Sequence, residues 1–150
     1  METDLELDAM KLGREGHMAS RQMGRQVIRP AADQQDGLPL LAEYRRAVEA
    51  ELAPGHLAVT LGLALAAAGW SKHDTIAGFL YQTATGYIAA AMKLLPIGQR
   101  QAQRLLVKWM DAIGDVVQRS AQQRVLKSWL PVHEIYAMRH SQLHSRLFRS

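Results

Sequence analysis

Apolar residues recur every three or four positions along almost the whole chain, and no stretch alternates apolar and polar residues over the length of a strand. In "LELDAMKLGREGHMASRQMGRQVI", Leu5, Ala9, Leu12, Met18 or Ala19, Met23, Val27 and Ile28 share a helical stripe. The spacing predicts a first helical region over residues 3–29, weakened by its glycines, broken near Gly16 and stopped by Pro30. "PAADQQDGLP", residues 30–39, reads as a loop. A second helix over 40–52 presents Leu41, Tyr44, Val48 and Leu52 on one face. "APG" is a turn, and His56 opens a helix to Ala68, stopped by Gly69. Small residues cover nearly every face of that helix, Gly62 among them, so it is the expected centre of the core.

Ser71 and Asp74 make a capping-box pattern ahead of a helix over 72–95, whose stripe is Ile76, Leu80, Thr83 or Ala84, Tyr87 and Ala91. "LLPIGQ" breaks the chain at Pro96 and Gly98, where glycine supplies a backbone position other residues disfavour. A long helix follows from Gln99 towards Trp129, with Leu105, Leu106, Trp109, Met110, Ile113, Val116 and Val117 as its apolar face. Pro131 ends it or starts the next piece, and "VHEIYAM" forms a last short helix. The expected fold is all-α, a compact bundle of about five to seven helices, in one domain over residues 1–150.

Composition narrows the function. The longest apolar run, Leu57 to Trp70, is 14 residues and too short to cross a bilayer, and the acidic N-terminus is unlike a signal peptide. No membrane association is expected. The absence of cysteine excludes disulfides and thiolate chemistry and agrees with a cytoplasmic setting. Charge is uneven: residues 1–74 carry 11 acidic and 8 basic side chains, residues 75–150 carry 3 and 10. That imbalance favours an acidic partner, protein or nucleic acid. Arg100, Arg104, Lys108, Arg119, Arg124 and Lys127, however, are strung along a helix with no recognition-helix signature, so nucleic acid is not expected.

Candidate chemistry is sparse. His17, His56 and His73 lie in different segments, while His140 and His144 are one helical turn apart without a third protein ligand, so no metal or other cofactor is assigned. His56, after the turn, reads as a capping or core histidine. Ser141 and Ser145 have His144 nearby but no acid to orient it, and no phosphate-binding glycine loop occurs. The chain does not read as an enzyme. Gln99 and Gln103 stand ready to bond the preceding turn or a partner. The C-terminal "MRHSQLHSRLFRS" combines apolar anchors, Leu147 and Phe148, with Arg139, Arg146 and Arg149, a composition suited to a protein interface. Tyr136 and Met138 would seat the helix before it.

Three stretches carry a family likeness: "HLAVTLGLALAAAGW", "LYQTATGYIAAAMKLLPIGQ" and "LPVHEIYAMRHSQLHSRLFRS". Together they resemble the urease accessory protein UreF family, most specifically in the "LPIGQ" loop and the "MRH…SRLF" end. Lys93 and Ala102 depart from the arginine and glycine common in that family. The family is usually longer, and the N-terminal section its members carry is not in this sequence. The resemblance implies a non-catalytic adaptor that bridges a UreD/UreH-like protein and the GTPase UreG while nickel is delivered to the urease apoenzyme. It also implies a homodimer and a tail, residues 139–150, ordered against the UreD-like partner. The expected protein-binding residues are Tyr81, Gln99, Gln103, Tyr136, Arg139, His140, Ser145, Arg146, Leu147 and Phe148. The alternative is a diverged helical protein-binding module no longer tied to urease.

Overall fold

A computed structural model of the chain describes residues 1–34, 39–127 and 130–140. Among them are seven helices and no strand: α1 (Glu2–Met10), α2 (Arg14–Gln34), α3 (Pro39–Glu49), α4 (Leu57–Ala67), α5 (Lys72–Leu94), α6 (Gln99–Gln122) and α7 (Pro131–His140). The all-α expectation holds. The chain divides into two compact units, one made of Met1–Ala68 and the segment from Val125 onward, the other of Gly69–Arg124.

In the first unit α2 packs against α4, α3 and α7. Its core is Ile28, Leu41, Tyr44, Val48 and Ala53, flanked by Val59, Leu63 and Ala67 of α4. The fully buried apolar side chains therefore lie between α2 and α3, while α4, which makes the more extensive contact with α2, flanks them rather than forming the centre that its small residues suggest. Only Thr60 of α4 is fully buried. A helix that is small and apolar all round has no preferred face, and here one side of it is covered. Leu52, placed by spacing on the buried face of α3, lies beyond the end of that helix and is exposed.

Two other departures have local causes. The first helical region breaks at residues 11–13, ahead of Gly16, and α2 then runs through Pro30 to Gln34. Proline inside a helix costs about 3 kcal/mol through the lost N–H and the clash with the preceding turn. Continuing the helix holds Ile28, 1% exposed, with Ala31 and Ala32 against α3. Burying an isoleucine contributes about 2 kcal/mol and each methyl about 0.8, enough to offset the proline.

Gly24 shows why a helix-weakening residue sits in the middle of α2. A Cβ there would lie 2.0 Å from the Gly55 carbonyl oxygen and 2.9 Å from the His56 carbonyl carbon. The α2 backbone thus rests directly on the start of α4. Gly62, one of the small residues of α4, has open space where a Cβ would be.

In the second unit α5 and α6 form an antiparallel pair, with the Lys72 ammonium at the start of α5 donating to the Ala121 carbonyl near the end of α6. Ser71 caps α5 by accepting from the Asp74 amide at 3.1 Å, as the sequence pattern requires. Ala84, Ala102, Ile113 and Val117 are buried, but Tyr87, Leu105, Trp109 and Met110 are exposed although they fall on the predicted stripes. Gly98 caps α6 with an ordinary extended backbone at φ −88°, so glycine's special range is not used there. The Gly98 amide donates to Gln101 Oε1 at 3.1 Å, making Gln101, rather than Gln99 or Gln103, the side chain that closes the turn.

The glycine contrast is testable. Gly24→Ala is expected to destabilise the protein by about 3 kcal/mol or more. Gly62→Ala is expected to be neutral or to stabilise by up to about 1 kcal/mol. Urea unfolding of the two variants checks both.

Candidate functional site

The polar groups of the first unit converge on the start of α4. Gly55 adopts φ +75°, and a Cβ there would lie 2.8 Å from Val48 Cγ1, so both conformation and packing demand glycine. This turn leaves the Gly55 and His56 amides pointing into the protein without helical acceptors. Asp4, fully buried on α1, supplies the acceptors. Its Oδ2 accepts from the Gly55 amide at 2.7 Å and from the Tyr44 hydroxyl at 2.7 Å, and its Oδ1 accepts from the His56 amide at 3.1 Å. The carboxylate thus caps α4 where the helix dipole favours negative charge. Burial, then the hydrogen bond and charge of Asp4, push the Tyr44 phenol well above its ordinary pKa, so it stays a donor.

One helical turn further along α1, Asp8 faces two imidazoles. Its Oδ1 lies 2.6 Å from His17 Nε2 and 3.0 Å from His56 Nε2. The two rings meet edge to face, with centroids 5.3 Å apart. On its other side His56 Nδ1 lies 3.1 Å from Ser20 Oγ. His56 is fully buried, while His17 and Asp8 are partly exposed.

Burial pushes the Asp8 carboxyl up, but the hydrogen bonds from His56 and His17 and their charges outweigh it, leaving the pKa below its ordinary value. Burial pushes His56 down, and the Asp8 hydrogen bond with the charges of Asp4 and Asp8 only partly opposes this. At neutral pH the site therefore holds an ionised Asp8 and an uncharged His56. A carboxylate can only accept, so both Nε2 atoms carry the proton and donate to Asp8. His56 Nδ1 then accepts from the Ser20 hydroxyl. Of the two readings of His56, capping or core, the side chain follows the second: His56 stands at the N-cap position of α4, but its buried ring makes no cap hydrogen bond and instead meets Asp8 and Ser20, while its amide donates to Asp4. Sequence placed His17 and His56 in separate segments, and the fold brings them together over a shared carboxylate. The spacing of 48 residues between Asp8 and His56 leaves no local signal by which this could be read.

The residues expected to bind partners are distributed differently. Tyr136 and Arg139 are exposed on α7, and His140 at its end pairs with Glu15 of α2. In the second unit, Tyr81 is exposed on α5, and Gln99 and Gln103 are exposed one turn apart on α6. Ser145, Arg146, Leu147 and Phe148 lie outside the described residues. The first unit also carries an apolar groove of about 820 Å³, walled by Leu7, Leu40, Ala47, Leu52, Val59 and Leu63 among others.

Helices held together by a buried carboxylate, with apolar side chains left on the surface, define an all-helical scaffold. Comparison with known proteins makes the assignment specific: the UreF family profile matches residues 1–110, and the chain belongs to the UreF family. It is 38% identical over 143 residues to the urease accessory protein UreF of Azotobacter vinelandii, covering 91% of this chain and 60% of that protein. It is 27% identical over 154 residues to the UreF of Actinobacillus pleuropneumoniae serotype 3, covering 100% of this chain and 66% of the relative. The UreF of Haemophilus influenzae Rd is 28% identical over 153 residues, with 99% and 64% covered. The chain thus spans roughly 60–66% of the length of these relatives. No solved structure gives a significant match.

The site predicts two stability effects. Asp4→Ala leaves three buried donors without an acceptor and is expected to cost about 4 kcal/mol, against about 1–2 for Tyr44→Phe, in urea unfolding. The pH dependence follows from the depressed pKa values. As pH falls below about 6.5, the unfolded chain protonates His56 while the folded chain resists, so stability declines. Below the unfolded Asp8 value of 3.8 it declines further, until the folded carboxyl itself titrates. Urea midpoints followed from neutral pH into acid should fall, and a midpoint that rises on acidification would contradict the assignment.

Proposed function

We propose that this chain is a non-catalytic accessory protein in urease maturation that works by holding other proteins in place. The observation that carries the reading is its membership of the UreF family over residues 1–110, together with relatives named as urease accessory proteins. The finer reading is an adaptor that joins a UreD/UreH-like protein to the GTPase UreG and so serves nickel delivery to the urease apoenzyme. In that reading it works as a homodimer in the cytoplasm. No helix of the described residues is long and apolar enough to cross a membrane.

The surface of α7 supports the role of the C-terminal region. None of its residues is fully buried, and Val132, Ile135, Tyr136 and Met138 expose apolar area immediately before residues 141–150. Large apolar side chains next to arginines are the usual anchors of a protein interface. Tyr136 and Arg139 would contact the UreD-like partner with Ser145, Arg146, Leu147 and Phe148, and His140 would fix the end of α7 through Glu15. Tyr81, Gln99 and Gln103 are assigned to a second contact surface on the other unit. The mostly apolar groove of the first unit suits binding rather than proton-transfer chemistry.

Copurification of this chain with a UreD/UreH-like and a UreG-like protein tests the reading. A ternary complex is expected, and a folded chain that captures neither would contradict it. Tyr136→Ala, at a side chain 69% exposed, should weaken the UreD-like contact at least about 10-fold and leave the melting temperature unchanged. A fall in melting temperature with the complex intact would place Tyr136 in the fold instead.

A further inference from the structure

We propose that Asp8, His17 and His56 form a binding site for a divalent transition-metal ion with a preference for mixed nitrogen and oxygen ligands, such as zinc. Three residues from three separate segments, α1, α2 and the cap of α4, bring one ligand atom each to within 4.8 Å of one another. Two imidazole nitrogens and one carboxylate oxygen match the first shell of a three-ligand zinc site whose fourth position is left to water. The same donors suit cobalt and nickel. The proposal stands independently of the accessory role.

The geometry is close to what an ion requires. Tetrahedral ligands at about 2.1 Å from zinc lie about 3.4 Å apart. Asp8 Oδ1 is now 2.6 Å from His17 Nε2 and 3.0 Å from His56 Nε2, so opening the cluster by less than about 1 Å admits the metal. Asp8, with 34% of its side chain exposed, and His17, with 23%, are the ligands with room to move, and their exposed edges provide an entry path. His56 is the fixed ligand, 0% exposed and held through its backbone amide by Asp4.

A supporting shell is already in place. On metal binding the Nε2 proton of each imidazole moves to its Nδ1, and the Nε2 lone pair turns to the ion. In His56 the new Nδ1–H donates to Ser20 Oγ, 3.1 Å away, reversing the present hydrogen bond. A metal-bound histidine held in orientation through its second nitrogen is the common pattern of protein sites. Asp4, behind His56, adds negative charge close to the cation. No proton need leave His56, since its ring keeps one.

The experiment uses the full chain without an affinity tag, titrated with zinc by calorimetry and by thermal melting, and with cobalt by visible absorption. Zinc should bind with one-to-one stoichiometry at the Asp8 cluster and raise the melting temperature, because the ion links α1, α2 and α4. His17→Ala should lower the affinity about 100-fold, and Asp8→Asn at least 10-fold. The His140→Ala and His144→Ala double variant should bind as the parent does. Should His17→Ala fail to fold, zinc-induced shifts of imidazole resonances in the parent protein decide the matter: His17 and His56 are expected to move most. Absence of binding, binding undiminished in folded His17→Ala, loss of binding in the double variant, or shifts confined to other histidines would each overturn the proposal.

Discussion

A carboxylate removed from water needs donors, and Asp4 finds three in groups that otherwise have none. Desolvating an ionised carboxylate costs several kcal/mol. The Gly55 and His56 amides and the Tyr44 hydroxyl offset that cost with charge-assisted hydrogen bonds, aided by the dipole of α4. Through this one group α1 is tied to α3 and to the start of α4. The turn before α4 must be tight for its amides to converge, hence glycine at 55, and α2 must touch it backbone to backbone, hence glycine at 24. Once Asp4 is seated, Asp8 falls one turn away against the His56 ring. The apolar core of Ile28, Leu41, Tyr44 and Val48 lies beside this node and shares Tyr44 with it.

Much of this was legible in the sequence where the determinants are local. Helical spacing and capping signals located α3, α5 and the start of α6, and the Ser71–Asp74 pair caps α5 as read. The core positions Leu41, Tyr44 and Val48 were read from period alone. What was not legible depends on contacts between distant residues. Pro30 stays helical because Ile28 and its neighbours pack on α3, and Gly24 is needed because of Gly55, 31 residues away. The Asp8–His17–His56 cluster gave no warning, since each member alone looks like an ordinary surface or capping residue. The exposed residues of α5 and α6 show the converse limit: an apolar stripe reveals what favours burial but not what covers it.

Family membership and physical reading address different parts of the chain. The family match rests on residues 1–110 and supports the proposed accessory role. The buried network explains how the first unit presents its surfaces, with α7 laid across α2 near Gly13, where a Cβ would lie 3.3 Å from the Ala137 side chain. A scaffold whose helices are locked by a hydrogen-bonded charge keeps its surfaces in register, because such networks allow few alternative packings. In that respect the polar node holds the shape on which the exposed apolar residues are displayed.

The Asp4 node is the centre of this account, and amide hydrogen exchange at Gly55 and His56 tests it most directly. In an unbound turn before a helix these two amides would exchange almost as fast as in an unfolded chain. If both donate to a buried carboxylate whose release requires α1 to separate from α3 and α4, their protection should approach that of the most stable helical amides in the first unit. Exchange at Gly55 and His56 as rapid as in an open turn, with the helices around them still protected, would contradict it.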